Sequence, residues 1–199
     1  DLENMTAADA RDWYRRWYAP NNAYVIVVGD VNKDEVFRLA EKHYGKIPRK
    51  VLPERKPQNE PEQAGIRRVG VKAPARLPYL AMAWKTPKLR DVNKDRDPYA
   101  LEVLAAVLDG HDASRFSTNL VRGSRIAQSA GAGYDGSLRG EATFTLDGQP
   151  AEGKTVAELE AALRAEIKRV QDEGVSAEEL ARVKTQSIAA QIYKRDSLM

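Results

Sequence analysis

Apolar positions along this chain change period several times, and each change marks a boundary. Residues 6 to 18 place Ala10, Trp13, Tyr14, Trp17 and Tyr18 on one helical face, which predicts an amphipathic helix. Thr6, with Asp9 three residues on, is a variant of the capping box, and Pro20 with Asn21-Asn22 ends the helix. Tyr24-Val25-Ile26-Val27-Val28 is then apolar without interruption, the pattern of a strand buried on both faces. Asn32 and Glu35 open a second helix that turns Val36, Leu39 and Ala40 inward and stops at Gly45.

The stretch from 48 to 65 holds four prolines and few apolar side chains, so it suits neither a helix interior nor a central strand. It reads as an extended linker. Beyond it the pattern restarts. Residues 66 to 72 and 79 to 84 look like strands, the second with Leu80, Met82 and Trp84 on one face. Asp97-Pro98 opens a helix so rich in apolar residues (Leu101, Val103, Leu104, Val107, Leu108) that it must be largely buried. The polar loop Asp109 to Arg115 follows, with Ser114 expected to cap a short helix through Val121.

Residues 126 to 135 form an Ala- and Gly-rich strand, and Ala142, Phe144 and Leu146 alternate with Glu141, Thr143 and Thr145 in the next. Capping boxes at Thr155/Glu158 and Ser176/Glu179 open the last two helices, divided by Gly174. The order αβα, linker, ββααββαα predicts an α+β fold in which helices cover one face of an antiparallel sheet.

Composition narrows the classes of function. Hydrophobic residues at 42% and charged residues at 31% suit a globular domain rather than a disordered chain. No apolar run approaches the roughly 20 residues of a membrane span. The first ten residues are acidic and polar, unlike a secretory leader, and the abrupt termini suggest a piece of a longer protein. There is no cysteine, which excludes disulfides and thiolate chemistry and suits either cytoplasm or periplasm. The net charge of +3 comes from interspersed charges, so no nucleic-acid partner is expected.

Candidate chemistry is sparse. The two histidines, His43 and His111, complete neither His-Glu-x-x-His nor its inverse. His111 with Asp109 and Asp112 is the only conceivable ligand cluster, and a polar loop explains it better than a metal does. Ser114 lies near His111, but no acid is placed to orient the imidazole and no nucleophile elbow is present. Gly131, Gly133 and Gly136 continue into another strand, so close packing suits them better than phosphate binding. An RNA-binding sheet is disfavoured, because no strand carries closely spaced exposed aromatics with a basic partner.

Three groups of residues carry a resemblance. Asp1-Leu2, Met5-Thr6, Trp17 through Ala23, Val27 through Val31 and Ile47-Pro48 form the first; Leu108-Asp109-Gly110, Ser114-Arg115-Phe116, Leu120-Val121-Arg122, Ala127 and Ala130 through Tyr134 form the second. Glu173 through Ser176, Glu179-Leu180 and Lys184 form the third. Together they resemble the region that follows the catalytic segment in pitrilysin/insulinase-type (inverzincin) zinc peptidases. The resemblance implies a lobe like those of the mitochondrial processing peptidase, and zinc ligands on an inverted His-x-x-Glu-His helix upstream of this chain. It implies no cofactor and no catalytic or metal residue here, with zinc in the parent protein.

Under that resemblance, residues 1–50 are the final α-β-α of the preceding catalytic lobe, 51–65 the linker and 66–199 a zinc-free homologous lobe, truncated at its C-terminus. The chain would line the substrate chamber of a bacterial metallopeptidase that degrades or processes peptides, and would be inactive alone. Its expected partners are unfolded polypeptide, the zinc-bearing lobe of the same chain, and a second copy or related subunit in a homo- or hetero-dimer. The parent is placed in the periplasm, with the cytoplasm as the alternative. The other reading is a scaffold or assembly subunit of the same family without peptidase activity. The loop Gly110, His111, Asp112 and Arg115 is expected to face the chamber, where zinc-free partner subunits carry a glycine-rich loop; Arg115 either contacts a peptide carboxylate or braces the loop, and bracing is the favoured reading. Three departures stand out: Gly123-Ser124 follows Arg122 where the family often has glutamate or lysine, only Gly110 remains in the Asp109 to Ala113 loop where some partner subunits are glycine-rich, and no tyrosine accompanies Thr143 on the strand where some partner subunits carry an arginine-tyrosine pair.

Overall fold

The computed structural model describes residues 2–56 and 60–195. Residues 57–59 of the predicted linker and the last four of the predicted terminal helix therefore lie outside the described residues. The chain divides into two units between Gly70 and Val71.

The first unit contains two helices, α1 (Ala7–Trp17) and α2 (Lys33–Tyr44). Their N-termini form as their sequences dictate. Thr6 and Asp9 complete a reciprocal capping box, and the Asn32 side chain accepts from the backbone of Asp34 and Glu35. Asn21 ties this unit further, exchanging two hydrogen bonds with the Lys50 backbone at 3.0 and 3.1 Å. The inward faces expected for these helices are not buried: neither contains a buried residue, and Ala19 is the unit's one buried apolar residue among those described. The strand expected at 24 to 28 is also absent. Among the described residues these five make no backbone hydrogen bond, and they are 49 to 97% exposed. The physical reason is plain: a strand is defined by its neighbours, and this unit supplies none.

The second unit is organised around a three-stranded antiparallel sheet of order β1-β3-β2, with β1 spanning Leu80–Thr86, β2 Ala127–Tyr134 and β3 Ala142–Pro150. The strand expected at 66 to 72 is not formed, and Ile66, Val69 and Val71 are each over 80% exposed. Alternation along β3 is strict: Ala142, Phe144 and Leu146 are buried while Thr143, Thr145 and Asp147 are only partly so. The buried face packs on α4 (Val156–Glu173), whose Leu159 and Leu163 are fully buried beside Leu80, Phe144 and Leu146. Trp84 continues this face, with the Arg164 guanidinium 5.8 Å from its ring. Gly148 is small by necessity, since a Cβ there would stand 2.5 Å from the Ser129 carbonyl oxygen on β2.

The remaining elements close the other flank. Helix α3 (Asp97–Asp109) lies against β2, and α5 (Ala177–Arg195) packs on α3 with Val183 buried. Between α3 and β2 the chain forms a π-helix, Phe116–Gly123, in place of the short α-helix expected from Ser114 to Val121. Its width carries both Phe116 and Leu120 into the core.

Candidate functional site

The predicted functional loop begins where α3 stops. Gly110 terminates that helix, its N–H bonding to the Ala106 carbonyl at 2.8 Å. Just before it, the Asp109 carboxylate accepts from the Ala132 N–H at 3.4 Å, which fastens the end of α3 to the outer edge of β2. Burial pushes the Asp109 carboxyl above its usual range; the Ala132 N–H opposes this and the charge of Asp147 adds to it. Asp147 is itself held from β1's approach, accepting from the Tyr79 hydroxyl at 2.8 Å.

His111 folds back on its own loop. Its Nδ1 accepts from the Ala113 N–H at 2.9 Å, and its Nε2 is buried without a partner among the described residues. The Asp112 side chain is exposed, and its backbone carbonyl accepts from the Arg122 guanidinium. Ser114 does not cap the helix that follows. It is 2% exposed, its Oγ has no partner among the described residues, and the π-helix starts without a side-chain cap.

Arg115 turns away from this loop toward α5. Its Nε and Nη2 meet the two carboxylate oxygens of Glu179 at 2.9 and 2.8 Å, and Nη2 also donates to the Gly174 carbonyl at 2.9 Å. Both side chains are about 15% exposed. This two-pronged contact holds the Glu179 carboxyl below its ordinary range and raises the guanidinium of Arg115. Of Gly110, His111, Asp112 and Arg115, no two share a hydrogen bond.

Sequence reasoning missed the polar layer behind this loop. Glu166 of α4 is 2% exposed and is satisfied by Asn119 at 3.0 Å and Arg169 at 3.3 Å. Arg115 and Glu179 are 64 positions apart, and Asn119 and Glu166 are 47. No local signal joins them, because only the packing of α4 and α5 against the π-helix brings them together.

Among the described residues, no three of His, Cys, Asp or Glu gather as a metal ion requires. His43 sits in the last turn of α2 and His111 in the loop after α3. Zinc therefore does not fit the described residues, and no catalytic step is drawn through it here. The arrangement is a braced scaffold, with Asp109 tied to β2 and Arg115 to α5.

Comparison with known proteins places this geometry. Residues 4–187 match the family described as the peptidase M16 inactive domain. A zinc protease of Helicobacter pylori, PqqE, is 34% identical over 134 residues, covering 65% of this chain and 29% of that protein. The crystal structure of a protease from the same organism superposes with a TM-score of 0.88 at 28% identity, over 98% of this chain and 47% of that one. The periplasmic protease PqqL of Escherichia coli superposes with a TM-score of 0.66 at 21% identity, a likeness of fold, over 94% of this chain and 21% of that one. The chain thus spans less than half the length of each of these relatives.

Proposed function

Because the chain belongs to the peptidase M16 inactive-domain family, we propose that it is the zinc-free portion of a bacterial zinc metallopeptidase and forms part of the wall around its peptide substrate. The carrying observation is the family match over residues 4–187, in a chain whose described residues hold no metal-ligand group. In this reading zinc and its ligands come from a separate lobe of the parent protein, and two such halves face each other as a dimer. The periplasmic relative PqqL supports the periplasm as its compartment.

The division of the chain follows the same reading. Residues 1–50 complete the preceding, zinc-bearing lobe, 51–65 connect, and residues from 66 onward build the zinc-free lobe. Support comes from the run at 24 to 28, which is apolar on both faces and has every backbone group unpaired among the described residues. Such a run belongs in the interior of a sheet, between two strands supplied from outside this unit. Loop residues Gly110, His111 and Asp112 face the enclosed peptide, and Arg115 holds that loop in place through Glu179.

The test uses the parent reading frame. Replacing Gly110, His111 and Asp112 together with alanine should lower turnover of an unfolded peptide while bound zinc and thermal stability stay at parental values. Deleting residues 71–195 should abolish turnover altogether. Parental turnover after that deletion, or a parent with no peptidase activity at all, overturns the chamber role, and the second result favours an assembly subunit.

A further inference from the structure

The connection between β1 and α3 is unusually well fastened for a loop. The Leu89 N–H donates to the Gly136 carbonyl at 2.9 Å, the Tyr134 hydroxyl to the Pro87 carbonyl at 2.5 Å, and Lys88 Nζ to the carbonyls of Arg139 and Gly140 at 3.0 and 2.8 Å. Its far limb is tied by Asp95, whose carboxylate accepts from the N–H groups of Arg90 and Asp91 at 2.7 and 2.9 Å. Held this way, residues 87 to 98 surround an open cavity of about 430 Å³.

The charges around that cavity are unbalanced. Lys88, Arg90, Lys94 and Arg96 line it, against Asp95 and Asp97. Lys88 spends its hydrogen bonds on neutral carbonyls, and among the described residues no carboxylate pairs with it. Asp95 is engaged by backbone amides, which hold it ionised, and the neighbouring charge of Arg90 contributes less. Lys94 has an exposed pair with Asp91 at 3.4 Å. Neither Arg90 nor Arg96 has a carboxylate within ion-pair distance among the described residues, and both are exposed. Two free guanidinium forks on a pre-formed rim suit planar oxyanions.

We propose that this cavity binds the carboxylates of acidic stretches in polypeptides, giving the zinc-free lobe a preference for acidic segments of its substrate. A carboxylate and an inorganic phosphate share the oxyanion chemistry this rim recognises, and the experiment separates them. The proposal rests on the chamber reading for its biological sense, but its test is binding to the 199-residue chain itself, so it stands or fails independently of turnover in the parent.

Fluorescence anisotropy should show a labelled hexaglutamate peptide binding the chain, with hexaglutamine binding far more weakly. The double variant Arg90→Gln/Arg96→Gln should weaken hexaglutamate binding by about tenfold or more, as loss of paired charges does at interfaces. Lys168→Ala, on the exposed face of α4, should leave binding unchanged, and raising salt should weaken it. Circular dichroism checks that the variants keep their helix content. Equal binding of the two peptides, unaltered binding by the double variant, or displacement of hexaglutamate by equimolar inorganic phosphate overturns the proposal.

Discussion

At Ser114 a hydroxyl is buried with no hydrogen-bond partner. Removing such a group relieves an unmet desolvation cost. Ser114→Ala is therefore expected to be neutral or stabilising by up to about 1 kcal/mol in chemical denaturation, whereas a helix cap would lose roughly that amount. Arg115 behaves oppositely. Its pair with Glu179 lies between the surface and buried regimes, so Arg115→Ala should cost about 2–3 kcal/mol. The pH dependence follows from the depressed Glu179 carboxyl. A lowered folded-state value means the stabilisation is complete above the ordinary glutamate range, near pH 4.3, and is lost as pH falls through the folded value. Wild type and Arg115→Ala should thus differ fully at pH 7, and the difference should shrink only once pH falls below the ordinary glutamate range. Bracing by Arg115 was expected from the chain, but its partner was not: Ser114 matched a cap by type, and Glu179 was recognised only for its place in a helix start.

Elements were more legible where their determinants are local. Thr155 and Glu158 predicted the start of α4, and their side chains and backbones exchange the expected bonds at 2.8 to 3.1 Å. The same held for Thr6 with Asp9 and for Ser176, whose hydroxyl accepts from the Glu179 N–H at 3.1 Å. Thr155→Ala should lower the melting temperature through a loss of about 1 kcal/mol. Alternation along β3 was readable because one face meets α4 and the other does not. The π-helix was not, since widening a turn by one residue leaves the apolar spacing of residues 116 to 121 compatible with an α-helix. Of the three candidate strands before α3 only the third, at 79 to 84, formed; those at 24 to 28 and 66 to 72 did not, because a strand's side chains announce burial but never name the partner.

Across the whole molecule the two units differ in what they complete by themselves. The second unit encloses a contiguous core from Leu80 to Leu163, whereas the first leaves Trp13, Tyr14, Tyr24, Ile26 and Phe37 each more than half exposed. If a preceding lobe receives residues 24 to 28, their amides should exchange with deuterium at nearly unprotected rates in the isolated chain and be strongly protected in the parent protein. Equal protection in both would refute that placement. The family was legible from scattered motifs spanning both units, yet the candidate loop's chemistry was not, because Arg115 is paired with Glu179, 64 positions along the chain.

The central position of β3 has a further consequence, for the order in which the chain folds. Pairing β2 with β3 closes only the short connection from 135 to 141, whereas pairing β1 with the same strand brings Thr86 to Ala142 across more than fifty intervening residues. The entropy of closing the longer loop must be met before its contacts return anything, so the hairpin and the π-helix beside it are placed to nucleate first and β1 to dock late. Truncating Ala132 or Leu146 should then slow refolding, while truncating Met82 should chiefly hasten unfolding. A chevron in which Met82→Ala slows refolding as much as Leu146→Ala does would reverse that order.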